Sequence, residues 1–527
     1  MQLLGQRDQS REVVVLSGGR QVDLQDLSHL RNLPEQRRES KIQEIQTGAQ
    51  LLQASGIFPK RRPCQDVVWA ILFLVAAAAT FAFAIFYFQD VDTSLNEDSS
   101  FKGGETENHR DVEKLYVNVG CLTLAGVVGA SGALVAAFFF MMMARACAKP
   151  VVYAALYFVP TLMILAGVGL VGFSATRLSD EKQDSTLGLL IPGAVLAALG
   201  LCYASLVWCC WSRFIPFTIE VVEMVAEISN DNPCMVAVSM LGSFLGGLWM
   251  VLVTLCYTGV SVKHQEDKAD HNTKMMGPVD VAFAALLFWG AGVIRNVCHV
   301  SYCGVFGRWY FAEEGWPLLQ SLRVALTTSF GSICLGSFLI ALIRAVEVAV
   351  RSARNEAASE GNVVGCILLC LLDSIIACIG DIMEYFNDWA YVQCAIRGTS
   401  FCQSVRATYT LLVCNGVQYV ITDILVDSVA TLGAFVSALV GAALGGAVGA
   451  LGEAGETGSP GVIGAVGALM GFVAGLIGGS CVMSIFTSGT KALLVCWAED
   501  PAPLQEEYGD MHEAISNKIR AVEADSR

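Results

Sequence analysis

Three groups of side chains stand inside otherwise apolar stretches of the chain, and they define the chemistry open to it. The first is Phe288, Arg295, His299 and Tyr302, spaced by seven, four and three residues, with Asn296 beside them. This spacing puts the four on one face of a helix. An arginine and a histidine deep in an apolar helix are costly unless they face protein or water, so by default they mark a pathway. The bland alternative is a structural arginine paired with a neighbouring carboxylate. Imidazole titrates near physiological pH, which makes His299 a candidate for proton coupling. Arg295 and Asn296 are grouped with it as coupling or gating residues.

The second group is acidic. Asp373, Asp381 and Glu384 are eight and three residues apart, again on one helical face. They are suited to neutralising Arg295, binding a cation or exchanging protons. Wetting at an interface is the plainer account of Asp381 and Glu384. The third group is aromatic: Trp249, Tyr257, Phe288, Trp289 and Tyr302. Aromatic faces hold quaternary ammonium ions. These five residues and the three carboxylates therefore form the candidate binding set for a small organic cation, although an aromatic in a membrane helix more often serves packing.

Other charged residues invite simpler readings. Arg344, Glu347 and Arg351 have the spacing of intrahelical ion pairs. Asp423 and Asp427 suit the start of a helix, where the dipole favours acids. The nineteen cysteines lie mostly within apolar runs, and no CxxC pair has zinc-ligand spacing. No Walker A, HExxH or GxSxG sequence occurs, so neither ATP-driven pumping nor hydrolysis has support. No enzyme activity, cofactor or metal is expected.

The elements that must position these groups are membrane helices. Hydrophobic residues make up 54% of the chain and charged residues only 15%, against about 25% charged in soluble domains. Mean hydropathy is +0.56. The apolar residues fall in runs of spanning length, roughly 20 residues each. Ten spans are predicted, at about 67–88, 116–143, 151–175, 187–211, 235–260, 279–304, 325–349, 363–386, 425–451 and 461–486. Lys60, Arg61 and Arg62 precede the first and hold the N-terminus in the cytosol by the positive-inside rule. The acidic loop 89–114 is then outside, and Arg145 and Lys149 fall inside. Arg344, Arg351 and Arg354 disturb this alternation. Either the seventh helix runs well past the membrane or a segment there is re-entrant. Net charge is −15 and no basic patch suggests nucleic-acid binding.

Between spans, 213–232 alternates Ile219, Val222, Val225 and Ile228 with Glu220, Glu223 and Glu227, the pattern of a helix lying at the cytosolic surface. A second amphipathic stretch is predicted at about 391–417. Spans four to six and eight to ten share an order, as in transporters built from repeats. Gly441, Gly445 and Gly449, and Gly467, Gly471, Gly475 and Gly479, recur every four residues and allow close crossing of spans nine and ten. Residues 1–58 are polar and are read as partly disordered or weakly helical.

The second half of the chain resembles the choline-transporter-like family, solute carrier family 44. The resemblance is carried by Phe288-Trp289 through His299-Val300 to Gly304, by Arg308-Trp309-Tyr310-Phe311, and by Gly331-Ser332-Ile333 with Gly336-Ser337 and Ile340-Ala341-Leu342. Its most specific part is Phe386-Asn387, Ala390-Tyr391, Ala395-Ile396, Gly398 and Ser400-Phe401-Cys402-Gln403-Ser404, followed by Leu494-Val495-Cys496-Trp497-Ala498-Glu499-Asp500-Pro501. It covers about residues 205–510. The resemblance implies ten spans, cytosolic termini and transport of choline or relatives such as ethanolamine, with coupling to outward proton movement. The chain departs from animal members in its short loop between spans five and six and in His299, where they tend to carry glutamine. It is closer to the fungal, plant and protist branch.

The expectation is thus an all-α polytopic membrane protein of about ten transmembrane helices with two cytosolic-surface amphipathic helices. Residues 1–62 form a cytosolic N-terminal segment, 63–498 a transporter domain and 499–527 a cytosolic tail. The expected function is transport of choline or a related small organic cation, facilitative or proton-coupled, in the plasma membrane. A channel, a carrier for another solute or a lipid, and a non-transporting scaffold or receptor are the alternatives. The expected partners are the cation, the bilayer and protons; oligomeric state is left open.

Overall fold

The computed structural model describes residues 13–15, 21–23, 34–98, 108–177, 183–266, 277–415, 418–453 and 461–507, with positions 509, 513 and 517. The centres of the loops expected at 89–114 and 263–277 and most of the C-terminal tail lie outside these residues. Side chains are described from 34 to 86 except 35, and from 124 to 175, 190 to 260, 277 to 414, 419 to 451 and 464 to 506. Apart from a hairpin of β1 (Val13–Val15) and β2 (Gln21–Asp23), the described elements are helices. In chain order these are α1 (Glu35–Ala54), α2 (Val67–Asp98), α3 (Asn108–Ala146), α4 (Ala148–Arg177), α5 (Gln183–Leu206), α6 (Ile215–Asp231), α7 (Cys234–Glu266) and α8 (Pro278–Tyr310). Then come α9 (Pro317–Leu326), α10 (Phe330–Ser359), α11 (Val363–Arg397), α12 (Phe401–Asn415), α13 (Gln418–Glu453), α14 (Gly461–Glu499) and α15 (Ala502–Glu507).

Among the described residues, ten stretches are helical, long and apolar enough to cross a membrane: α2, α3, α4, α5 with its continuation, α7, α8, α10, α11, α13 and α14. The chain is an all-α polytopic membrane protein. Lipid offers no hydrogen bonds, so each span must close its own backbone bonds, and a helix does so.

Four expectations change in detail. The fourth span does not end before the first surface helix: a π turn (Val207–Trp211) and a 3-10 turn (Ser212–Phe214) carry α5 into α6. The seventh span begins at Phe330 rather than 325, because Pro317–Leu326 forms the separate helix α9 with proline in its first turn. It then runs unbroken to Ser359, which accounts for the three arginines without a re-entrant segment there. The eighth span does not stop at 386. Tyr391 to Ile396 are buried and complete α11, which ends where Gly398 adopts φ +67°. The second surface helix is therefore only α12. Finally, the N-terminal segment contributes an ordered helix. Ile45, Ala49 and Leu52 of α1, spaced by four and three, form a buried stripe.

The chain forms two compact units, Met1–Val112 with Cys234–Cys414 and Lys491–Pro501, and Glu113–Pro233 with Asn415–Thr490 and Ala502–Arg527. In the second unit the glycine repeats let helices meet backbone to backbone. A Cβ built on Gly129 of α3 would lie 2.8 Å from Gly471 Cα and 2.9 Å from the Gly441 carbonyl oxygen. The close crossing predicted for two helices therefore involves three: α3, α13 and α14.

In the first unit α8 packs against α7, α9, α10 and α11. Asp66, just before α2, accepts from Ser332 Oγ at 2.6 Å and from the Phe401 N–H at 2.9 Å, tying the starts of α10 and α12 together. Near the same place, at the C-terminal end of α11, the end of α1 and the end of α14 come together. Arg397 pairs with Glu499 of α14 at 2.7 Å, with 1% and 0% of the two side chains exposed. Arg397 also donates to the Leu52 carbonyl at 2.7 Å and to Ser55. Arg62 donates to the Ala395 and Ile396 carbonyls, both at 2.7 Å. Burial and the neighbouring charge of Arg308 lower Arg62 to about 10. The Phe58 ring receives both guanidinium groups, with Arg308 at 4.6 Å and Arg62 at 5.4 Å.

Candidate functional site

The first unit holds a cavity of about 270 Å³ between α8, α10 and α11. Phe288, Ala291, Gly292, Arg295 and Asn296 line it from α8, at successive steps of three, one, three and one residues that keep one face of the helix turned inward. Ser337, Ile340 and Arg344 line it from α10, and Glu384, Asn387 and Asp388 from α11. All these positions fall well inside their helices, as an intramembrane site requires.

The charges are arranged as a chain. Arg295 reaches Glu384 at 2.5 Å and Asp388 at 3.8 Å. Arg344 reaches Glu384 at 2.9 Å, Asp381 at 2.6 Å and Glu347 at 2.9 Å. Beyond the cavity, Arg351 bonds Glu347 at 2.6 Å and approaches Asp373 to 3.6 Å, and Arg354 bonds Asp373 at 2.7 Å. Residues 344, 347, 351 and 354 share one stripe of α10, and 373, 381, 384 and 388 share one stripe of α11, so antiparallel packing zips the two stripes together. The wall of the cavity also carries neutral polar groups. Asn296 Nδ2 donates to Ser337 Oγ at 2.9 Å, and Asn387 Nδ2 donates to the Gly336 carbonyl at 3.3 Å.

Such pairing is how ionisable groups persist at membrane depth. The Arg295 side chain nevertheless keeps 52% of its surface accessible, and that of Glu384 26%. The pair is therefore not sealed. It stands on the cavity wall, where a second cation would meet the same carboxylates.

Of the residues singled out in the sequence, the structure brings Phe288, Arg295, Asn296 and Glu384 to this cavity. Asp381 lies at its edge through Arg344, with its own side chain 69% exposed. Asp373 is bonded to Arg354 and lies elsewhere along the α10–α11 stripe. His299, one turn beyond Arg295, sits behind the wall with Nε2 2.9 Å from the Asp388 carbonyl oxygen and 3.6 Å from Cys303 Sγ. Tyr302 is buried further along α8. Trp249 and Trp289 are not among the residues lining the cavity; both close on Phe73, with ring centroids at 6.1 and 5.3 Å. Their indole N–H groups donate to the Leu287 carbonyl at 3.2 Å and the Cys334 carbonyl at 3.0 Å. Tyr257 stacks edge-on against Phe283, centroids 5.7 Å apart.

Asp388, Asn387, Ser337, Ile340 and Arg344 were not among the residues singled out for the site. Asp388 and Asn387 fall past residue 386, where the eighth span was expected to end. The available signal was the i, i+4 spacing of Glu384 and Asp388. Helical spacing pairs Arg344 with Glu347 alone; that bond is made, alongside two to Asp381 and Glu384 of α11.

Comparison with known proteins gives a consistent picture. The family model described as plasma-membrane choline transporter matches residues 194–502, more than half of the chain. The chain is similar to Protein PNS1 of Debaryomyces hansenii, 29% identical over 238 residues covering 42% of this chain and 46% of that protein. It is similar to Protein PNS1 of Yarrowia lipolytica, 26% identical over 334 residues, 58% of this chain and 56% of that protein. A CTL-like protein of Dictyostelium discoideum is 25% identical over 379 residues, 65% of this chain and 63% of that protein. The chain thus spans about half the length of the first curated relatives it matches.

Proposed function

Because the chain belongs to the family of plasma-membrane choline transporters, we propose that it carries choline or a related small organic cation through the cavity between α8, α10 and α11. The observation that supports this most is the pairing of Glu384 and Asp388 with Arg295 on an accessible wall. Carboxylates paired with an accessible guanidinium can be shared with a second cation: an incoming ammonium would take over part of their charge. Phe288 supplies an aromatic face on the same wall, which suits a quaternary ammonium that donates no hydrogen bonds. The volume lies near the lower end of ligand sites, roughly 300–1,000 Å³, and suits a solute of few heavy atoms. In this reading both termini are cytosolic, the segment 1–62 and the tail from 499 flank a transporter domain, and the protein works in the plasma membrane. Coupling to protons would run through His299, which contacts the Asp388 backbone.

The test is uptake of radiolabelled choline into proteoliposomes, with inward and outward pH gradients compared. The expected result is saturable uptake above empty liposomes, abolished by excess unlabelled choline. Uptake no greater than in empty liposomes removes choline as the solute. Flux that does not saturate and carries single-channel current replaces the carrier with a channel.

A further inference from the structure

Helix α9 has two opposite faces, and packing accounts for one of them. Ser321 and Ala325, four residues apart, are buried. Ser321 lies against Gly304 of α8, where an added Cβ would stand 2.7 Å from the serine Cβ. The other face carries Trp316, Leu319, Arg323 and Leu326, spaced by three, four and three. Trp316, Leu319 and Leu326 are 78%, 66% and 51% exposed, and Arg323 is exposed as well.

The level of α9 in the fold says what meets that face. Its ten residues extend about 15 Å, too short to cross a hydrocarbon core of roughly 30 Å. The end of α8 and the start of α10, which α9 joins, therefore lie on one side of the membrane. Helix α8 has 33 residues, about 50 Å at 1.5 Å each, and so outruns the core. Gly304 is six residues short of its end at Tyr310, about 9 Å along the axis. Helix α9 thus runs beside the last turns of α8, where hydrocarbon gives way to headgroups. A face turned away from α8 at that level meets lipid, and tryptophan is at home there.

The charges beside the apolar stripe are basic. The Gln65 N–H donates to the Thr328 carbonyl at 3.0 Å, which brings the segment from Lys60 to Asp66 to the C-terminal end of α9. Arg62 turns inward to the carbonyls of α11, whereas Lys60 and Arg61 are exposed. Among the described residues, neither these two nor Arg323 makes an ion pair or a side-chain hydrogen bond. Glu313 and Glu314 are exposed too, but they precede Trp316 at the other end of α9, where the helix dipole favours acids. Exposed cations next to an apolar helical face are the groups that hold anionic lipid.

We propose that the C-terminal half of α9, with Lys60 and Arg61, binds the headgroup of an anionic phospholipid, while Trp316, Leu319 and Leu326 sit among the lipid chains. The site stands on the link between α8 and α10, two walls of the cavity, and it does not depend on which solute the cavity takes.

The experiment is fluorescence quenching of the full-length protein in phosphatidylcholine nanodiscs that hold a minor fraction of brominated lipid. The Trp316 signal is the difference between the unaltered protein and Trp316→Phe. Brominated phosphatidylcholine should quench it, and brominated phosphatidylserine should do so about five-fold more effectively at equal mole fraction, the preference expected of a cation at an anionic surface. Lys60→Gln, Arg61→Gln and Arg323→Gln combined should bring the two lipids level, and Arg323→Lys alone should keep the preference. Molar potassium chloride should also level them in the unaltered protein, which tests the charge without any substitution. Equal quenching by the two lipids at low salt overturns the proposal and leaves α9 an interfacial helix without a headgroup site. Quenching by neither lipid also overturns it; if light scattering then finds a dimer, the face belongs to a second copy of the chain.

Discussion

Arg295 on α8 and Glu384 on α11 meet at 2.5 Å across the cavity, and Arg344 on α10 holds the other oxygen of the same carboxylate at 2.9 Å. One glutamate thus joins the three helices of the site. The half of this junction made by Arg295 is open to the cavity, with 52% of that side chain accessible.

The first prediction follows from that openness. With half of the Arg295 side chain accessible from the cavity, and an isosteric amide still able to accept from Arg295 and Arg344, loss of the Glu384 charge should cost little stability. Glu384→Gln should therefore shift the melting temperature in detergent by only a few degrees while lowering the initial rate of choline uptake about ten-fold, the effect of roughly 1.4 kcal/mol. A large loss of stability with proportionate loss of uptake would mark Glu384 as a structural residue.

The buried pair behaves oppositely. Arg397 and Glu499 are sealed from solvent, and removing one partner of such a pair costs about 3–5 kcal/mol. Arg397→Met or Glu499→Gln alone should sharply lower the melting temperature and the yield of monodisperse protein. The double variant Arg397→Met with Glu499→Met should recover a substantial part of both. If the double variant is no better than the singles, the bonds from Arg397 to Leu52 and Ser55 dominate instead.

Aromatic residues should divide into two classes by kinetic signature. Trp249 and Trp289 fill space and donate to backbone carbonyls, so alanine at either position should cost about 3–5 kcal/mol of stability. Phe288→Ala should instead raise the KM for choline several-fold with little change in melting temperature, since the ring borders the cavity. Calorimetry and saturation kinetics on the same preparations distinguish the classes.

The glycine crossing gives a prediction for the second unit. A Cβ on Gly441 or Gly471 collides with the backbone of the opposite helix, which has no flexible end to move aside. Gly441→Ala and Gly471→Ala should each destabilise by about 1–3 kcal/mol. Gly169→Ala, where the same atom meets nothing, should be neutral. Thermal unfolding of the three variants in one detergent is the measurement.

What the sequence determined by itself was everything set by local pattern. Ten apolar runs yield ten spans because a backbone in lipid has no alternative to the helix. The four-residue glycine period revealed a close crossing because it repeats on one helical face. The spacing of Phe288 and Arg295 likewise showed that they share a side of α8. Only the tertiary structure decided which faces meet. Helical period cannot tell that Arg295 would find Glu384 and Asp388, that Asp373 would go to Arg354, or that Trp249 and Trp289 would close on Phe73. Nor could it extend the eighth span to Arg397, since that end is stabilised by residues 52–62 and 499, far away in the chain. An isolated ionisable residue in a membrane helix announces that a partner exists. Which partner it takes is a matter of packing, because the bond energies of the alternatives are nearly alike and only geometry separates them.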